Sequence, residues 1–476
     1  MAERYGKKIR ALRQRANLTQ AVLADRLAIS ASYLNLLEND RRPLTTELLL
    51  KLAQQFEIDL RTFSGESESH LISDLAEVFG DGVFENHPFT RRDIADLVTT
   101  HPDIARAVLH LHQEYTHART SADTLAQRVL EDQDTLNAAE RVRLSSEQIS
   151  DLLQRHLNYF PDLEAAAEAT WERAKLDRSD LYAGLVQYLT REYGVTVHIA
   201  PPEEMGEMVR RYDARRKELH ISEVLRGRSR TFQVAGQLGL LACRDSIASL
   251  LADAQIDSPD AVALGHVVLT DYFAAAVVMP YVPFLRAAEE LRYDVELLGQ
   301  RFGTGFEQTC HRLTTLRRPN MSGVQFYLLR VDMAGNISKK FSAAGIRFPR
   351  FSGLCALWNV HAAFLQPGVV RVQLSKQMDG TTVFAIARTV RRHRGTYHSP
   401  TILYSVGIGC DLSDAHRLVY SDGIDLTNPA LPVPIGITCR LCERTSCQAR
   451  AFPSVQRPLR IDENVRNVSF YAPSEG

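Results

Sequence analysis

The sequence predicts a multidomain protein that is mainly α, with a C-terminal α+β part. Its 476 residues are too many for one compact domain, so two to four domains are expected. Apolar residues recur at helical spacing through the first 65 residues and much of the middle. Alternating apolar and polar residues in VQFYLLRVD, VVRVQLS and VFAIARTV predict strands, and so a small sheet domain over roughly residues 322–410.

Composition is that of a globular protein, with 45% hydrophobic and 24% charged residues. The sequence contains no run of 18 apolar residues, so it predicts no membrane span. The start MAERYGKKIRALRQR is charged, so it predicts no secretory signal. We therefore expect a cytoplasmic protein without structural disulfides and without a membrane partner. The net charge of −1 hides a basic end, because residues 1–65 hold eleven Lys and Arg against seven Asp and Glu. A basic end on a neutral body is typical of a module that binds a polyanion.

The first 65 residues have the spacing of a helix-turn-helix. Thr19 and Ser30 are predicted N-caps of the second and third helices, and only Ala28 and Ile29 or so lie between those helices. In this layout the third helix lies in the DNA major groove. A helical bundle with a solvated basic face is the alternative.

LTQAVLADRL and SYLNLLENDRRPL resemble the Xre/Cro type of helix-turn-helix over about residues 5–64. The family usually has Gly in the turn and a long polar residue after the cap, where this chain has Ala28 and Ala31. Those departures bear on which bases are read. The resemblance implies DNA contacts, to bases or phosphates, from Gln20, Ser30, Ser32, Tyr33, Asn35, Arg41 and Arg42.

From residue 72 to about 190 the pattern is mostly helical, with a charged, alanine-rich stretch typical of exposed or dimer-forming helices. SSEQ at 145–148 predicts a capping box that restarts a helix.

TFQVAGQLGLLA and LTDYFAAAVVMP together resemble ImmA/IrrE-type metallopeptidases. In that family HExxH supplies two zinc ligands and a catalytic Glu. The matching positions here are Gly236, Gln237, Leu238, Gly239 and Leu240. The expected acidic ligand falls near Leu269 or Thr270, and neither can replace it. The resemblance thus implies the fold without the protease, as a packing domain or a pocket reused for a ligand.

The C-terminal motifs YDVELLGQRFGTGFEQTCHRLTTLRRP, VDMAGNISKKFSAAGIRFPRFSGLCALWNVH and IGCDLSDAHRLVYSDGIDL are more specific. With the preceding parts in order, they resemble the short-chain fatty acyl transcriptional regulators, which include regulators of propionate and glyoxylate metabolism. The resemblance implies no enzyme but a transcription factor that responds to short-chain acyl-CoA. It would bind a palindromic operator as a homodimer or higher homo-oligomer. The predicted parts are 1–65 (helix-turn-helix), 66–175 (helical linker or dimerisation region), 176–320 (ImmA/IrrE-like) and 321–476 (ligand sensing and cysteine cluster).

A coenzyme A site needs cations for the phosphates and an apolar or aromatic slot. Arg347 and Arg350, with Trp358 for stacking, are the candidates that we name for this site. Further cations available from the sequence are Lys339, Lys340, Arg388, Arg391, Arg392 and Arg394.

CRLCERTSC places Cys439, Cys442 and Cys447 at C-x2-C-x4-C spacing. The chain has no second CxxC and no histidine after residue 416, which favours a [4Fe–4S] cluster over a zinc knuckle. Cys410 is expected as the fourth ligand, with Gly407 and Gly409 letting the backbone approach the cluster.

Cys355 is the competing fourth ligand, or else a buried core cysteine. Zinc on the same cysteines remains an alternative. The corresponding alternative function is a helix-turn-helix repressor with a structural zinc knuckle and a protein partner as its signal.

Overall fold

The structure is a computed structural model. It describes residues 6–16, 18–39, 41–42, 44–56, 66–80, 82–84, 89–128, 135–342, 346, 348, 353–392, 401–444 and 446–454. The chain forms two compact units. The first comprises Met1–Glu131, Pro349–Ser352 and Ile437–Gly476, and the second comprises Asp132–Phe348 and Gly353–Gly436. The cysteine segment is thus grouped with the N-terminal helices, whereas the sequence grouped it with the sheet; the predicted boundaries at 65, 175 and 320 stay predictions.

Four short helices with their own core begin the first unit, and they confirm the predicted helix-turn-helix. They are α1 (Gly6–Arg15), α2 (Gln20–Arg26), α3 (Ala31–Glu38) and α4 (Thr46–Phe56). The buried apolar residues of this core are Ile9, Leu23, Ala24, Leu27, Leu34, Leu37, Leu48 and Leu52.

Both predicted N-caps are confirmed. Thr19 Oγ1 accepts the backbone N–H of Val22 at 3.3 Å, and Ser30 Oγ accepts that of Tyr33 at 3.1 Å. Ala28 has a φ of 55°, in the left-handed region where the family usually has Gly. The turn therefore forms as expected, at some cost in backbone strain.

Three further helices complete the helical part of the first unit: α5 (Glu66–Phe79), α6 (Arg91–Thr100) and α7 (Pro102–Arg128). They pack around Leu75, Ile94, Val98 and Ala105.

The predicted helix start at 145–148 is wrong, because α8 (Thr135–Arg155) runs through it. Ile149 and Leu152 continue the apolar face of α8 against the core of the second unit. This packing overrides the local capping signal.

The rest of the helical half of the second unit surrounds a small three-stranded sheet of order β1-β3-β2. The helices are α9 (Pro161–Ala174), α10 (Leu181–Tyr193), α11 (Pro202–Met205), α12 (Gly227–Ala242), α13 (Arg244–Asp253), α14 (Pro259–Val278), α15 (Tyr281–Glu290), α16 (Val295–Phe302) and α17 (Phe306–Leu313). The strands are β1 (Thr196–Ala200), β2 (Arg210–Asp213) and β3 (Glu218–Ser222), followed by the short pair β4 (Arg317–Arg318) and β5 (Met321–Ser322).

Among the described residues, α14 is the one helix that is by itself long and apolar enough to cross a bilayer. α12 and α13 pass the same test together, but the chain bends by 72° between them. α14 packs against α8, α9 and α12, and its apolar composition is that of a helix inside a protein core.

A buried ion pair joins α9 to α17. Glu164 and Arg312 are both buried, and the two guanidinium Nη atoms donate to the two carboxylate oxygens. The Tyr272 hydroxyl donates to Glu164 at 2.7 Å, and Arg312 also donates to the Met279 carbonyl and the Thr315 hydroxyl, both at 2.9 Å. One cation and one anion are therefore matched and fully enclosed by hydrogen bonds.

The C-terminal half of the second unit is a six-stranded sheet of order β11-β8-β9-β10-β6-β7, in which only β11 and β8 are parallel. The three predicted strand segments are confirmed as β6, β8 and β9. The elements are β6 (Tyr327–Asp332), β7 (Ile337–Ser342), α18 (Asn359–Ala362), β8 (Arg371–Lys376), β9 (Thr382–Arg392), β10 (Ile402–Asp411) and β11 (Val433–Pro434).

The two faces of this sheet pack in different cores. Phe384 and Ile408 face the core shared with the helices, whereas Leu329 and Ala385 face a second core that includes α18. Side chains at alternate positions of each strand therefore look toward the helical half of the unit.

Candidate functional site

The surface of α3 and the residues just after it carry most of the predicted DNA contacts. Exposed among them are Ser30, Ser32, Asn35, Arg41 and Arg42. The Ser30 hydroxyl already serves as the N-cap of α3, and Tyr33 is half-buried against the core of the helix-turn-helix. Polar groups for base edges and two guanidinium groups for phosphates thus share one surface.

Gln20 has a role within the fold. Its Nε2 donates to Glu38 Oε2 at 2.7 Å, while Arg13 donates to the same carboxylate from Nε at 2.6 Å and Nη2 at 3.1 Å. Glu38 is buried, so these bonds fasten the start of α2 and the end of α3 to α1. The contact of Gln20 with DNA stays a prediction.

Asn35 is oriented by Asn39, the C-cap residue of α3. Asn39 Nδ2 donates to the Asn35 side-chain and backbone oxygens, both at 2.8 Å. The NH2 group of Asn35 is left to donate to acceptors on base edges in the major groove.

The position of the lost metal ligands in the second unit is filled by an arginine. A Cβ atom at Gly236 would lie 2.5 Å from Nη1 of Arg210. This Nη1 donates to the carbonyl of Gln233, in α12, at 3.2 Å. A guanidinium therefore takes the space in which the first histidine of HExxH would place its side chain.

Two other polar groups of these helices are buried. Gln237, in place of the catalytic Glu, has its Oε1 buried, and Thr270 on α14 has its Oγ1 buried. Within the described residues neither atom has a hydrogen-bond partner. Buried polar atoms are normally bonded, so these two mark places where water or a ligand is expected.

A cluster of cations surrounds Glu307 at the start of α17. Glu307 Oε1 lies 2.6 Å from Arg330 Nη1 and 3.3 Å from Lys339 Nζ, and its Oε2 lies 3.8 Å from Arg392 Nη2. Burial would raise the pKa of Glu307, but the cations, led by Lys339, hold it at about 2. The guanidinium groups of Arg330 and Arg392 also lie over the ring of Tyr404, at 4.6 and 5.5 Å from its centroid.

Asp271 connects this cluster to Arg210. Burial raises the pKa of Asp271, and Lys339, Arg210 and Arg392 counteract that rise. The residue as a whole is nevertheless exposed. Four cations, counting Arg330, thus face two carboxylates beside the former metal position.

His311, one turn after Glu307, is also part of this region. Burial lowers its pKa to about 3, with a further contribution from Lys339, so the imidazole is neutral at physiological pH. Its Nε2 is buried without a partner among the described residues.

The predicted coenzyme A residues lie in different parts of the chain and stay predictions. Arg347 and Arg350, like Arg394, lie outside the described residues. Trp358 is only 3% exposed and donates from Nε1 to the Gly436 carbonyl at 3.1 Å. Its rings pack against Tyr327 and Phe348, so neither its surroundings nor its exposure support a stacking role. Arg388 is engaged by the Gly368 carbonyl and Glu296.

The cysteine loop of the first unit is held together by Arg450. Its guanidinium donates to the carbonyls of Cys439 and Cys442, each at 2.9 Å. Cys442 is buried and Cys439 and Cys447 are half-buried, and all seven cysteines of the chain are unbridged. Within the described residues, no three His, Cys, Asp or Glu side chains form a group that could hold a metal ion. The donor types fit a metal, but this arrangement of the loop does not.

The two candidate fourth ligands face opposite sides of the six-stranded sheet. Cys410 belongs to the core shared with the helices, where burial raises its pKa, and Cys355 belongs to the core around α18. The interpretation of the glycines as room for a cluster is wrong. A Cβ at Gly407 would lie 2.5 Å from Val360 Cγ1, and one at Gly409 would lie 2.6 Å from Tyr327 Cε1. These glycines make room for α18 and Tyr327.

Three family models match successive parts of the chain: a helix-turn-helix over residues 9–63, an IrrE N-terminal-like domain over 190–314, and the C-terminal domain of short-chain fatty acyl coenzyme A regulators over 315–471. The HTH-type transcriptional regulators PrpR and RamB of Mycobacterium tuberculosis are each 37% identical over 99% of this chain, covering 96% and 99% of their own lengths. This chain belongs to the family of short-chain fatty acyl coenzyme A regulators.

Two further relatives agree with this assignment of the regulator. A propionyl-CoA carboxylase regulator of Cereibacter sphaeroides is 34% identical over 98% of both chains. A solved Mycobacterium tuberculosis transcriptional regulator has a TM-score of 0.66 and 40% identity, over 69% of this chain and 99% of that chain. The regulator is a DNA-binding protein with an Xre-type helix-turn-helix.

Sequence reasoning named Lys339 and Arg392 as available cations but missed the cluster that they form with other residues. Arg210, Asp271, Glu307, Arg330 and His311 come from four elements that only the tertiary fold brings together. One signal was available: Asp271 directly follows the two positions, 269 and 270, that were compared with the acidic metal ligand.

Proposed function

We propose that this DNA-binding regulator senses a short-chain acyl coenzyme A thioester, and that the effector binds in the second unit beside the former metal position. The cation cluster there is the observation that carries the proposal. Relatives that regulate short-chain acyl metabolism support the choice of effector. A ligand that prefers one conformation of the regulator shifts its population, and with it the affinity for the operator.

The chemistry of the cluster suits the anionic part of coenzyme A. Lys339 and Arg392 are each exposed enough to receive a ligand, with side chains 40% and 56% accessible. Glu307 and Asp271 offset only half of the four positive charges around them. Three phosphate groups can replace the missing anions through charge-assisted hydrogen bonds. The unpartnered oxygens of Gln237 and Thr270 are available to polar groups of the pantetheine arm.

Calorimetric titration of the full-length protein with propionyl-CoA tests this site. Arg392→Ala and Lys339→Ala should each raise the Kd at least roughly tenfold, because a hydrogen bond to a charged group contributes about 1.5–3 kcal/mol. Arg388→Ala is the matched control, since Arg388 is on the same strand but is already engaged by Gly368 and Glu296. Equal affinity of all three variants and the wild type would place the effector elsewhere.

Operator binding by a symmetric dimer is part of the proposal. Two copies of α3 must lie about one DNA turn apart, roughly 34 Å, to read two half-sites. The protein would act in the cytoplasm, where both DNA and acyl-CoA are present. Footprinting with and without propionyl-CoA measures the coupling, and an unchanged footprint at saturating effector would contradict it.

The cysteine loop is proposed to bind a [4Fe–4S] cluster through Cys439, Cys442 and Cys447, with the fourth ligand still a prediction at Cys410 or Cys355. Three unbridged thiols in nine residues support this. Loading would require the thiols to converge on one point, because they do not form such a group in the arrangement that Arg450 holds.

Anaerobic purification with a visible spectrum and metal analysis tests the cluster. A band near ~400 nm with about four irons per chain would establish it, and about one zinc in a colourless protein would make the loop a structural clip. Cys447→Ser should lose the metal, whereas Cys243→Ser, a buried cysteine in the second unit, should keep it.

A further inference from the structure

Helix α7 of the first unit carries a second apolar face. Its first face, which includes Ala105 and the partly buried Val108 and Leu109, packs against α5 and α6. Ile104, Leu111 and Tyr115 lie on another side of the helix and are 53%, 70% and 37% exposed. Large apolar side chains that share one exposed stripe mark an interaction surface.

The stripe follows the heptad spacing of a coiled coil. From Ile104, the sequence has an apolar or aromatic residue at alternating steps of four and three residues along α7, without exception. These positions are Ile104, Val108, Leu111, Tyr115, Ala118, Ala122 and Leu125. Val108 lies at the border of the two faces, since it is half-buried against the core of the first unit. They span about 32 Å of helix, at 1.5 Å per residue. A strict 3.5-residue repeat over three heptads is the pattern with which one helix packs against an equal helix.

We propose that α7 forms a parallel two-stranded coiled coil with α7 of a second copy of this chain. The charges fit this partner. Glu114 is exposed at heptad position g, and the sequence places Arg119 five residues later at position e. In a parallel pair, position g of one helix faces the e position of the following heptad in the other. The sequence therefore sets opposite charges at the two positions, 114 and 119, that face each other twice in each dimer.

The parallel orientation also matches the position of α7 in the chain. The helix-turn-helix precedes α7 in the same unit, so a parallel pair puts both DNA-binding modules at the same end of the coil. Two half-sites of one operator require this arrangement. The inference rests on the dimeric operator binding proposed above and names the surface that produces it.

Sedimentation equilibrium of the full-length protein tests the surface. Leu111→Glu should raise the dimer Kd at least roughly a hundredfold, because it puts two carboxylates into the apolar seam. Leu365→Glu is the matched control: Leu365 is a 78% exposed leucine in the second unit, and its change should leave the Kd unaltered. A dimer of wild-type strength in Leu111→Glu would overturn the proposal, as would a wild-type protein that stays monomeric at tens of micromolar.

A charge exchange tests orientation and register. Glu114→Arg alone should weaken the dimer roughly tenfold by facing Arg119 of the partner subunit, and Glu114→Arg with Arg119→Glu should restore it. Failure of the double variant to recover would exclude the parallel register.

Propionyl-CoA titration of Leu111→Glu separates this inference from the proposed effector. If a monomeric Leu111→Glu variant still binds propionyl-CoA, the coiled coil is supported, because the substitution then affects only dimerisation. If Leu111→Glu weakens the dimer but neither this variant nor the wild type binds propionyl-CoA, the proposed effector is refuted and the coiled coil is still supported.

Discussion

Glu164 and Glu307 are both carboxylates held by arginine in the second unit, but their charges are matched differently. Glu164 contacts one guanidinium inside the core. Both Nη atoms of Arg312 donate to Glu164, and Arg312 also donates to Met279 and Thr315. Glu307 is 16% exposed and faces three cations. A matched, enclosed pair fixes the packing of helices, whereas surplus cations that reach solvent can bind an anion. The difference separates residues that hold the fold from residues that serve a ligand.

Breaking the enclosed pair should produce the largest effect. Glu164→Gln leaves the Arg312 guanidinium buried without a counter-charge, which we expect to lower the free energy of unfolding by about 3–5 kcal/mol. Both tryptophans, Trp171 and Trp358, are in the second unit, so urea unfolding followed by their fluorescence reports on it. Glu296→Gln breaks a more exposed pair with Arg388 and should change stability by less than about 1 kcal/mol. Equal losses of unfolding free energy in the two variants would contradict the distinction between an enclosed and an exposed ion pair.

The next effect depends on pH. The pKa of His311 is about 3 in the folded protein and about 6.5 when unfolded, so the unfolded chain binds the extra proton. Its contribution to stability is complete above pH 6.5 and is lost as pH falls toward 3. We expect a slope of about 1.4 kcal/mol per pH unit between about pH 6 and 4 from this group.

The same fluorescence-detected unfolding measures it. His311→Gln should reduce the slope by that amount, roughly 2 kcal/mol in total between pH 6.5 and 5. An identical slope in wild type and variant would mean that folding does not lower the pKa of His311.

Removing the carboxylate of Glu307 from the cation cluster should strengthen ligand binding, whereas Glu164→Gln should lower stability. Glu307→Gln leaves more positive charge for phosphates, and one charge about 10 Å away contributes roughly 1.7 kcal/mol at an effective dielectric constant of about 20. We expect propionyl-CoA to bind roughly tenfold tighter at low salt, with the gain shrinking as salt is added. Glu296→Gln, which removes a carboxylate paired with Arg388 outside the cluster, provides the comparison. Weaker binding by Glu307→Gln would show that Glu307 positions the cations instead of competing with the ligand.

The smallest effect lies outside both clusters. Ala28→Gly relieves the left-handed backbone of the helix-turn-helix and should stabilise α2 and α3 by about 0.5–1 kcal/mol. Hydrogen exchange of the α2 and α3 amides measures this, while tryptophan-detected unfolding of the second unit should not change. Faster exchange in the variant would mean that other contacts of Ala28 outweigh its strain.

Local signals explain why the helix-turn-helix could be predicted. The caps at Thr19 and Ser30 and the turn at Ala28 depend on residues within a few positions, which a sequence displays directly. Strand alternation was equally local. Gly407 and Gly409 were misinterpreted because a glycine in a sequence indicates only that space is needed near its backbone. The residues that occupy this space, Val360 and Tyr327, are distant in sequence.

The cation cluster could not be predicted for the same reason. Arg210 and Lys339 are 129 positions apart in the sequence, and only the packing of the small sheet, α14 and α17 against the large sheet brings their charges to Asp271. The former metal motif indicated where to look, because it located α12 and α14. It gave no sign that an arginine from β2 would lie there.

The guanidinium of Arg210 over Gly236 bears on whether a metal-binding histidine could be introduced at that position. Any side chain at position 236 must first push Arg210 away from the Gln233 carbonyl and from Asp271. Restoring a histidine there therefore requires the guanidinium of Arg210, the end of a long side chain, to move or to be replaced. The same guanidinium is one of the four cations near Asp271, so space at position 236 and positive charge at the cluster depend on one residue.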